Sequence, residues 1–168
     1  MSLVFILIIH LIGRKGARPM RKAIFWGFLG TLAEPGAPSP NPLDPGQYRV
    51  YPDAAATLAL CAYKGYQNYM LAEGFPRLTE LLPKLHLERF FPGRVVSGRV
   101  ELAGSHGEGL YRRAELAAHF PGMIWLVSGD SQELAGAKAA GWHTIQVHRE
   151  DGEADFTCPT LTDVWRLL

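Results

Sequence analysis

Short apolar runs alternate along this chain with longer amphipathic segments. Five runs end at glycine or at polar residues, as buried parallel strands do: residues 23–28, 66–71, 94–97, 123–128 and 143–147. Helices are predicted in the segments that separate and follow them: residues 54–63, 76–85, 107–119, 132–140 and 161–168. Because strands and helices alternate through short connections, the pattern predicts an α/β protein with right-handed crossovers. Its five-stranded, mainly parallel sheet would carry helices on both faces.

Local signals set several boundaries of these elements. Asp53 and Thr160 stand where their side chains can cap the first and last helices. Gly65 is suited to close the first helix, and Pro83 should kink or shorten the second. Residues 34–45 contain five prolines, so an irregular loop is predicted there.

Length, charge and cysteine content limit the number of domains, the class of partner and the compartment that we expect. The chain has 168 residues with 17 basic and 16 acidic side chains, a length that suits one domain with a real core. Its near-neutral charge excludes a nucleic-acid partner, since phosphate binding needs a clustered basic surface. Two cysteines, Cys61 and Cys158, are too few for a disulfide framework, which indicates a reducing, cytoplasmic location. Cys61 falls on an apolar helix face and is predicted to be core.

The N-terminus is unusual. A ten-residue apolar run begins at Leu3 and ends at Ile12, and basic residues follow it. A secretory signal has the reverse order, so a cleaved signal peptide is rejected. Residues 1–19 are predicted to be an extension of a domain that spans residues 20–168. The extension is either a further buried element or, since apolar residues beside basic ones suit anionic lipid, a contact with a membrane surface.

Ligands of parallel α/β sheets bind beyond the carboxyl ends of the strands, so the residues there are the candidates for chemistry. Residues 23–33, Ala-Ile-Phe-Trp-Gly-Phe-Leu-Gly-Thr-Leu-Ala, resemble the first motif of the haloacid dehalogenase-like (HAD) hydrolases, a strand followed by Asp-x-Asp-Gly-Thr-Leu. Residues 123–131, Met-Ile-Trp-Leu-Val-Ser-Gly-Asp-Ser, resemble their fourth motif. The resemblance implies the three-layer, Rossmann-like HAD fold. The chain has no room for an inserted cap domain.

The departures from the HAD pattern fall on the residues that carry its chemistry. Gly27 stands where the resemblance implies the nucleophilic Asp, and Leu29 stands where it implies the Asp that protonates the leaving group. Ala72 replaces the hydroxyl residue of the second motif, and Gly104 replaces the Lys of the third. Glycine offers no side-chain nucleophile and leucine no proton, so ordinary HAD hydrolysis is not expected.

Three positions keep the HAD pattern. Gly30 and Thr31 remain from the phosphate-binding turn, and Asp130 matches a magnesium-binding carboxylate. Asp130 has two interpretations, a weak metal ligand or a cap for the next helix. Glu133 is the nearest substitute for the second carboxylate of that motif.

Two functions follow from these residues. The first is a non-catalytic binding or accessory module with no cofactor, an open face and a protein partner, because nucleophile, acid, hydroxyl and lysine have all changed. The apolar residues Trp26, Phe28 and Leu29 at the mouth would pack internally or contact that partner. The alternative is a magnesium-dependent phosphohydrolase with a rearranged active site that uses Asp130 and a nearby Glu or His.

Overall fold

The computed structural model describes residues 20–75, 77–98, 108–149 and 152–168. Its strands in chain order are β1 (Lys22–Trp26), β2 (Ala33–Pro35), β3 (Tyr48–Val50), β4 (Tyr66–Glu73), β5 (Val95–Gly98), β6 (Met123–Ser128), β7 (His143–Val147) and β8 (Phe156–Cys158). Six of them form one parallel sheet in the order β5-β4-β1-β6-β7-β8. The predicted α/β class and the parallel sheet are confirmed.

Helices cover both faces of this sheet. They are α1 (Ala54–Tyr63), α2 (Leu78–Leu81), α3 (Glu108–Ala117), α4 (Ser131–Ala139) and α5 (Leu161–Leu167), with short 3-10 turns at Pro45–Gln47, Leu82–Leu85 and Glu88–Phe90. One buried cluster joins α1, α2 and α5 to one face of the sheet, and a second joins α3 and α4 to the other. Alternate residues of β1 serve the two clusters, Ile24 and Trp26 in the first and Phe25 in the second, as the two-residue period of a strand requires.

The sheet has six strands rather than the predicted five. The additional strand, β8, pairs with β7 at the edge of the sheet. It has three residues, of which Phe156 and Thr157 are exposed and only Cys158 is buried. So short and half-exposed a strand has no apolar run by which the sequence could reveal it.

The proline-rich segment is only partly irregular. Its ends pair as an antiparallel ribbon of β2 and β3, in which Ala33 faces Val50 and Pro35 faces Tyr48. The backbone bond from Gly36 N to Gln47 O, 2.7 Å long, extends the pairing, and most of the prolines lie in the connecting loop. This ribbon is all that the chain inserts between β1 and α1, in agreement with the expected absence of a cap there.

Three helix predictions need correction. The helix expected over residues 76–85 is the single turn α2 followed by a 3-10 turn with Pro83 near its start, because proline cannot continue the hydrogen-bond ladder. Asp53 precedes α1 without capping it. Its carboxylate instead accepts hydrogen bonds from Thr162 N and Oγ1, both 2.9 Å long, at the start of α5. Thr160 makes no side-chain capping bond to α5.

The described part of the chain contains no helix with the length and apolar character needed to cross a membrane. The apolar run from Leu3 to Ile12, and with it the predicted membrane-surface contact and domain boundary, lies outside the described residues.

Candidate active site

The order of strands reverses at the centre of the sheet, where β4 and β6 flank β1. The backbone N–H of Gly27 donates to Val127 O at 3.0 Å, so the chain leaving β1 stays beside the end of β6. Ala72 is buried two residues beyond Met70, the β4 partner of Trp26. The ends of the first, second and fourth predicted strands therefore meet at one edge, where parallel sheets bind ligands. Gly104, the third-motif position, lies outside the described residues.

Three polar side chains meet at this edge and form what we call the strand-end cluster: Thr31, Ser128 and Glu133. The Ser128 hydroxyl donates to Glu133 Oε2 at 2.6 Å and accepts from Asp130 N at 2.9 Å. Thr31 Oγ1 accepts from Gly129 N at 3.0 Å. Because Thr31 and Ser128 are completely buried, these bonds hold the chain after β1 firmly against the chain after β6.

The cluster surrounds the space that a side chain at position 27 would enter. A Cβ atom on Gly27 would lie 2.7 Å from Thr31 Oγ1, 2.8 Å from Glu133 Oε2 and 3.1 Å from Ser128 Oγ. The first two separations are shorter than real Cβ contacts, so a side chain here would force Thr31 and Glu133 to shift. A carboxylate oxygen from α4 thus lies beside the point where the side chain of residue 27 would begin.

Two glycines allow the turns after β1 and β6 to approach each other. Gly30 has φ of +73°, a left-handed conformation that side chains other than glycine rarely adopt. A Cβ on Gly129 would overlap the carbonyl group of Gly30. Gly30 therefore shapes the first turn, while Gly129 lets the second one rest on it.

Asp130 is exposed and begins α4. Its Oδ1 accepts from Gln132 N at 2.7 Å and from Glu133 N at 3.3 Å, so its interpretation as a helix cap is confirmed. Among the described residues, no three His, Cys, Asp or Glu side chains lie close enough together to hold a metal ion. Mg²⁺, however, commonly takes one or two carboxylates and completes its shell with phosphate oxygens and water. Asp130 and Glu133, three residues apart at the start of α4, are the carboxylates at this edge from which such ligands would come.

Of the apolar residues at the end of β1, Trp26 and Phe28 pack internally and Leu29 is partly exposed. Trp26 is buried and donates from Nε1 to Asn68 Oδ1 at 3.0 Å. Phe28 is buried with its ring 5.3 Å from that of Tyr48 and 5.4 Å from that of Phe75. Leu29, at the position implied for the acid, keeps 37% of its surface exposed.

A cavity of about 230 Å³ lies behind these aromatic rings, between the ribbon and the end of β4. Its walls are largely apolar and include Pro42, Leu43, Tyr48, Phe75, Leu78 and Leu81. Since Tyr48 and Phe75 both contact Phe28, the wall of the cavity is joined to the chain leaving β1.

His148 is a contact of the site that the sequence analysis missed. It follows β7, and its Nε2 lies 2.9 Å from Thr31 O, so that nitrogen carries the proton and donates to the carbonyl. Its ring stacks on Tyr51 with centroids 4.0 Å apart. His148 thereby supports the turn that holds Thr31. Its place just beyond the fifth apolar run is the only signal that could have pointed to it.

Both cysteines are buried. Burial raises the pKa of Cys61 to about 12. The prediction that Cys61 belongs to the core is confirmed.

No protein-family model matches the chain. It is 35% identical over 112 residues to the enolase-phosphatase E1 of Azotobacter vinelandii, an alignment that covers 63% of this chain and 48% of that protein. The chain thus spans about half the length of this curated relative.

Solved structures identify the fold. A candidate phosphatase from Clostridium difficile superposes with a TM-score of 0.71 at 12% identity, over 90% of this chain and all of that one. The heptose 1,7-bisphosphate phosphatase of B. bronchiseptica, solved with magnesium and phosphate, superposes with a TM-score of 0.62 at 14% identity, over 87% and 97% of the two chains. This chain has the Rossmann-like fold of the HAD-superfamily hydrolases.

These similarities correct two expectations. The non-catalytic module is contradicted by an enolase-phosphatase relative and by phosphatases among the structural neighbours, which favour the phosphohydrolase alternative. The absence of a cofactor is contradicted by a neighbour that holds magnesium and phosphate. Both expectations had rested on the replaced residues.

Proposed function

We propose that this protein is a magnesium-dependent phosphohydrolase whose acidic groups are carried at the start of α4 rather than at the tip of β1. The observation that carries the proposal is the strand-end cluster, in which Glu133 Oε2 lies 2.8 Å from the Cβ position of Gly27. This carboxylate lies at the edge where parallel α/β sheets bind their ligands. The phosphatases of the same fold support the reaction class.

The residues of the site have separable tasks in this proposal. The buried hydroxyls of Thr31 and Ser128 fix the two turns, and Ser128 orients the Glu133 carboxylate through its 2.6 Å hydrogen bond. Asp130 and the Glu133 oxygen that Ser128 does not bind, Oε1, would hold the Mg²⁺ ion, with substrate phosphate and water as its other ligands. The ion supplies positive charge that offsets the negative charge of the phosphoryl group during transfer.

Leu29 limits which phosphate esters the site can hydrolyse, because it cannot protonate a leaving group. It is an exposed leucine beside the site and offers no proton to a departing oxygen. Esters whose leaving groups depart as stable anions, such as aryl phosphates, are therefore the substrates of choice for a first assay.

The test is hydrolysis of an aryl phosphate by the full-length protein. We expect phosphate release with Mg²⁺, its loss on chelation with EDTA and its recovery when Mg²⁺ is added back. The same sequence of additions to a protein-free reaction is the control. Release at the protein-free rate under all three conditions would contradict the proposal.

A further inference from the structure

We infer that Glu133 is the nucleophile of this site, a catalytic carboxylate supplied by a helix to fill the position left open by Gly27. The inference rests on the proposed phosphohydrolase function and adds to it the atom that attacks phosphorus. In the resemblance drawn from the sequence, Glu133 stood only for a missing metal carboxylate, and position 27 stood empty.

The first argument is spatial. The Cβ position of Gly27 has Glu133 Oε2 at 2.8 Å, a separation comparable to the reach from a Cβ atom to the carboxylate oxygens of its own side chain. An oxygen carried by α4 therefore lies in the neighbourhood that a carboxylate on β1 would occupy. The two arrangements exclude each other, because a side chain at 27 and Glu133 would compete for the same space.

The second argument concerns how Glu133 is held. Asp130 Oδ1 accepts from Glu133 N at 3.3 Å, which caps the first turn of α4. Ser128 Oγ donates to Glu133 Oε2 at 2.6 Å from a completely buried position. The backbone and the carboxylate of Glu133 are thus each fixed by a residue that follows or ends β6, which is the pre-organisation that an attacking group needs.

The reaction then has two balanced steps. Glu133 Oε2 attacks phosphorus, the bond between phosphorus and the ester oxygen breaks, and that oxygen leaves with the electron pair and takes a proton from water, which becomes hydroxide. A second water attacks the phosphorus of the glutamyl phosphate, the bond between phosphorus and the Glu133 oxygen breaks, and the carboxylate is regenerated. One proton of that water neutralises the hydroxide and the other leaves with inorganic phosphate.

Trapping the covalent intermediate is the direct test. The protein is incubated with Mg²⁺ and an aryl phosphate, quenched in acid and reduced with borodeuteride, which converts an acyl phosphate into a deuterated alcohol. We expect peptide mass spectrometry to find the label on Glu133. A label on another carboxylate, or hydrolysis without any label, would overturn the inference.

Substitution gives a second readout. Glu133→Gln keeps the shape and removes the anion, so we expect turnover to fall on the order of 10³-fold or more. The matched control is Glu115→Gln, since Glu115 is also a partly buried carboxylate, and it accepts a 3.0 Å hydrogen bond from Trp142 Nε1. Turnover by Glu133→Gln within tenfold of the wild-type value would overturn the inference. If the wild-type protein hydrolysed no aryl phosphate, the phosphohydrolase proposal itself would be wrong, and the inference about Glu133 would fall with it.

Thermal stability tests the geometry without any turnover. Gly27→Ala introduces the Cβ that would meet Glu133 Oε2 and Thr31 Oγ1, so we expect Tm to fall by roughly 3–6 °C. In a Glu133→Ala background one of these contacts is gone, and the same substitution should cost clearly less. Equal losses in the two backgrounds would show that Glu133 does not occupy the space at position 27, which would overturn the inference.

Discussion

Helices α1 and α4 both follow an aspartate, yet the two aspartates do different things. Asp130 caps its own helix through Oδ1 and stands beside the strand-end cluster. Asp53 leaves the start of α1 without a side-chain cap and ties that helix to α5 by two 2.9 Å bonds to Thr162. The sequence signal is the same in both places, a polar acceptor directly before a helix.

The difference teaches where a carboxylate is directed. At α4 the preceding strand ends at the switch point of the sheet, so the acidic residues of the first turn face a ligand-binding edge. At α1 the preceding segment is the ribbon, and the neighbour at hand is the N-terminus of α5, whose free N–H groups attract an anion. We therefore expect Asp130 to matter for activity and Asp53 for stability.

The largest expected effect is on activity at α4. Asp130→Asn preserves the cap, because Asn is as good an N-cap as Asp, but it removes the charge that would hold Mg²⁺. We expect turnover of an aryl phosphate to fall by about 100-fold or more, with the free energy of unfolding changed by less than about 0.5 kcal/mol. Asp163→Asn, a charge-removing change in the first turn of α5, is the control and should leave turnover unaltered.

The comparison would fail at α4 if Asp130→Asn kept near-wild-type turnover. It would also fail if the variant lost activity only in proportion to lost stability. Either result would make Asp130 a cap and nothing more.

The second prediction concerns stability at α1. Asp53→Ala removes a carboxylate that receives two hydrogen bonds from Thr162, so the free energy of unfolding should fall by about 1–2 kcal/mol. Thr160→Ala is the informative control, because Thr160 was the cap predicted from the sequence and makes no capping bond to the backbone; its hydroxyl donates only to the exposed Asp163 Oδ2, at 2.7 Å. It should cost less than about 0.5 kcal/mol.

Urea unfolding of the two variants measures the difference. Turnover should be unchanged in both at temperatures where they remain folded. If Thr160→Ala were the more damaging of the two, the bonds from Thr162 to Asp53 would not be what stabilises the start of α5.

The fold was largely predictable because buried strands are recognisable in the sequence as apolar runs that end at glycine or polar residues. The exception shows the limit of this signal, since β8 buries only Cys158 and leaves Phe156 and Thr157 exposed. Its pairing with β7 depends on tertiary packing, which no local pattern encodes.

The candidate site was predictable in its place and not in its chemistry. Sequence reasoning located the strand ends and singled out Gly27 and Asp130. It could not find the contact of Glu133 with the space at Gly27, because that contact joins a side chain of α4 to a missing side chain after β1, about a hundred residues earlier. The same holds for Asp53 and Thr162, where spacing along the chain gives no sign of the partner.

The smallest expected effect is a pH dependence of stability that comes from Cys61, the buried thiol of α1. Burial raises the pKa of Cys61 from its ordinary value of 9.0 to about 12, so above pH 9 the unfolded chain gives up this proton while the folded chain keeps it. Stability from Cys61 is therefore complete below pH 9 and is lost as pH rises toward 12. Between pH 8 and pH 10 the wild type should lose about 1 kcal/mol more than Cys61→Ala in urea unfolding. Equal losses in the two proteins would mean that the thiol is not held in the apolar core against which α1 packs.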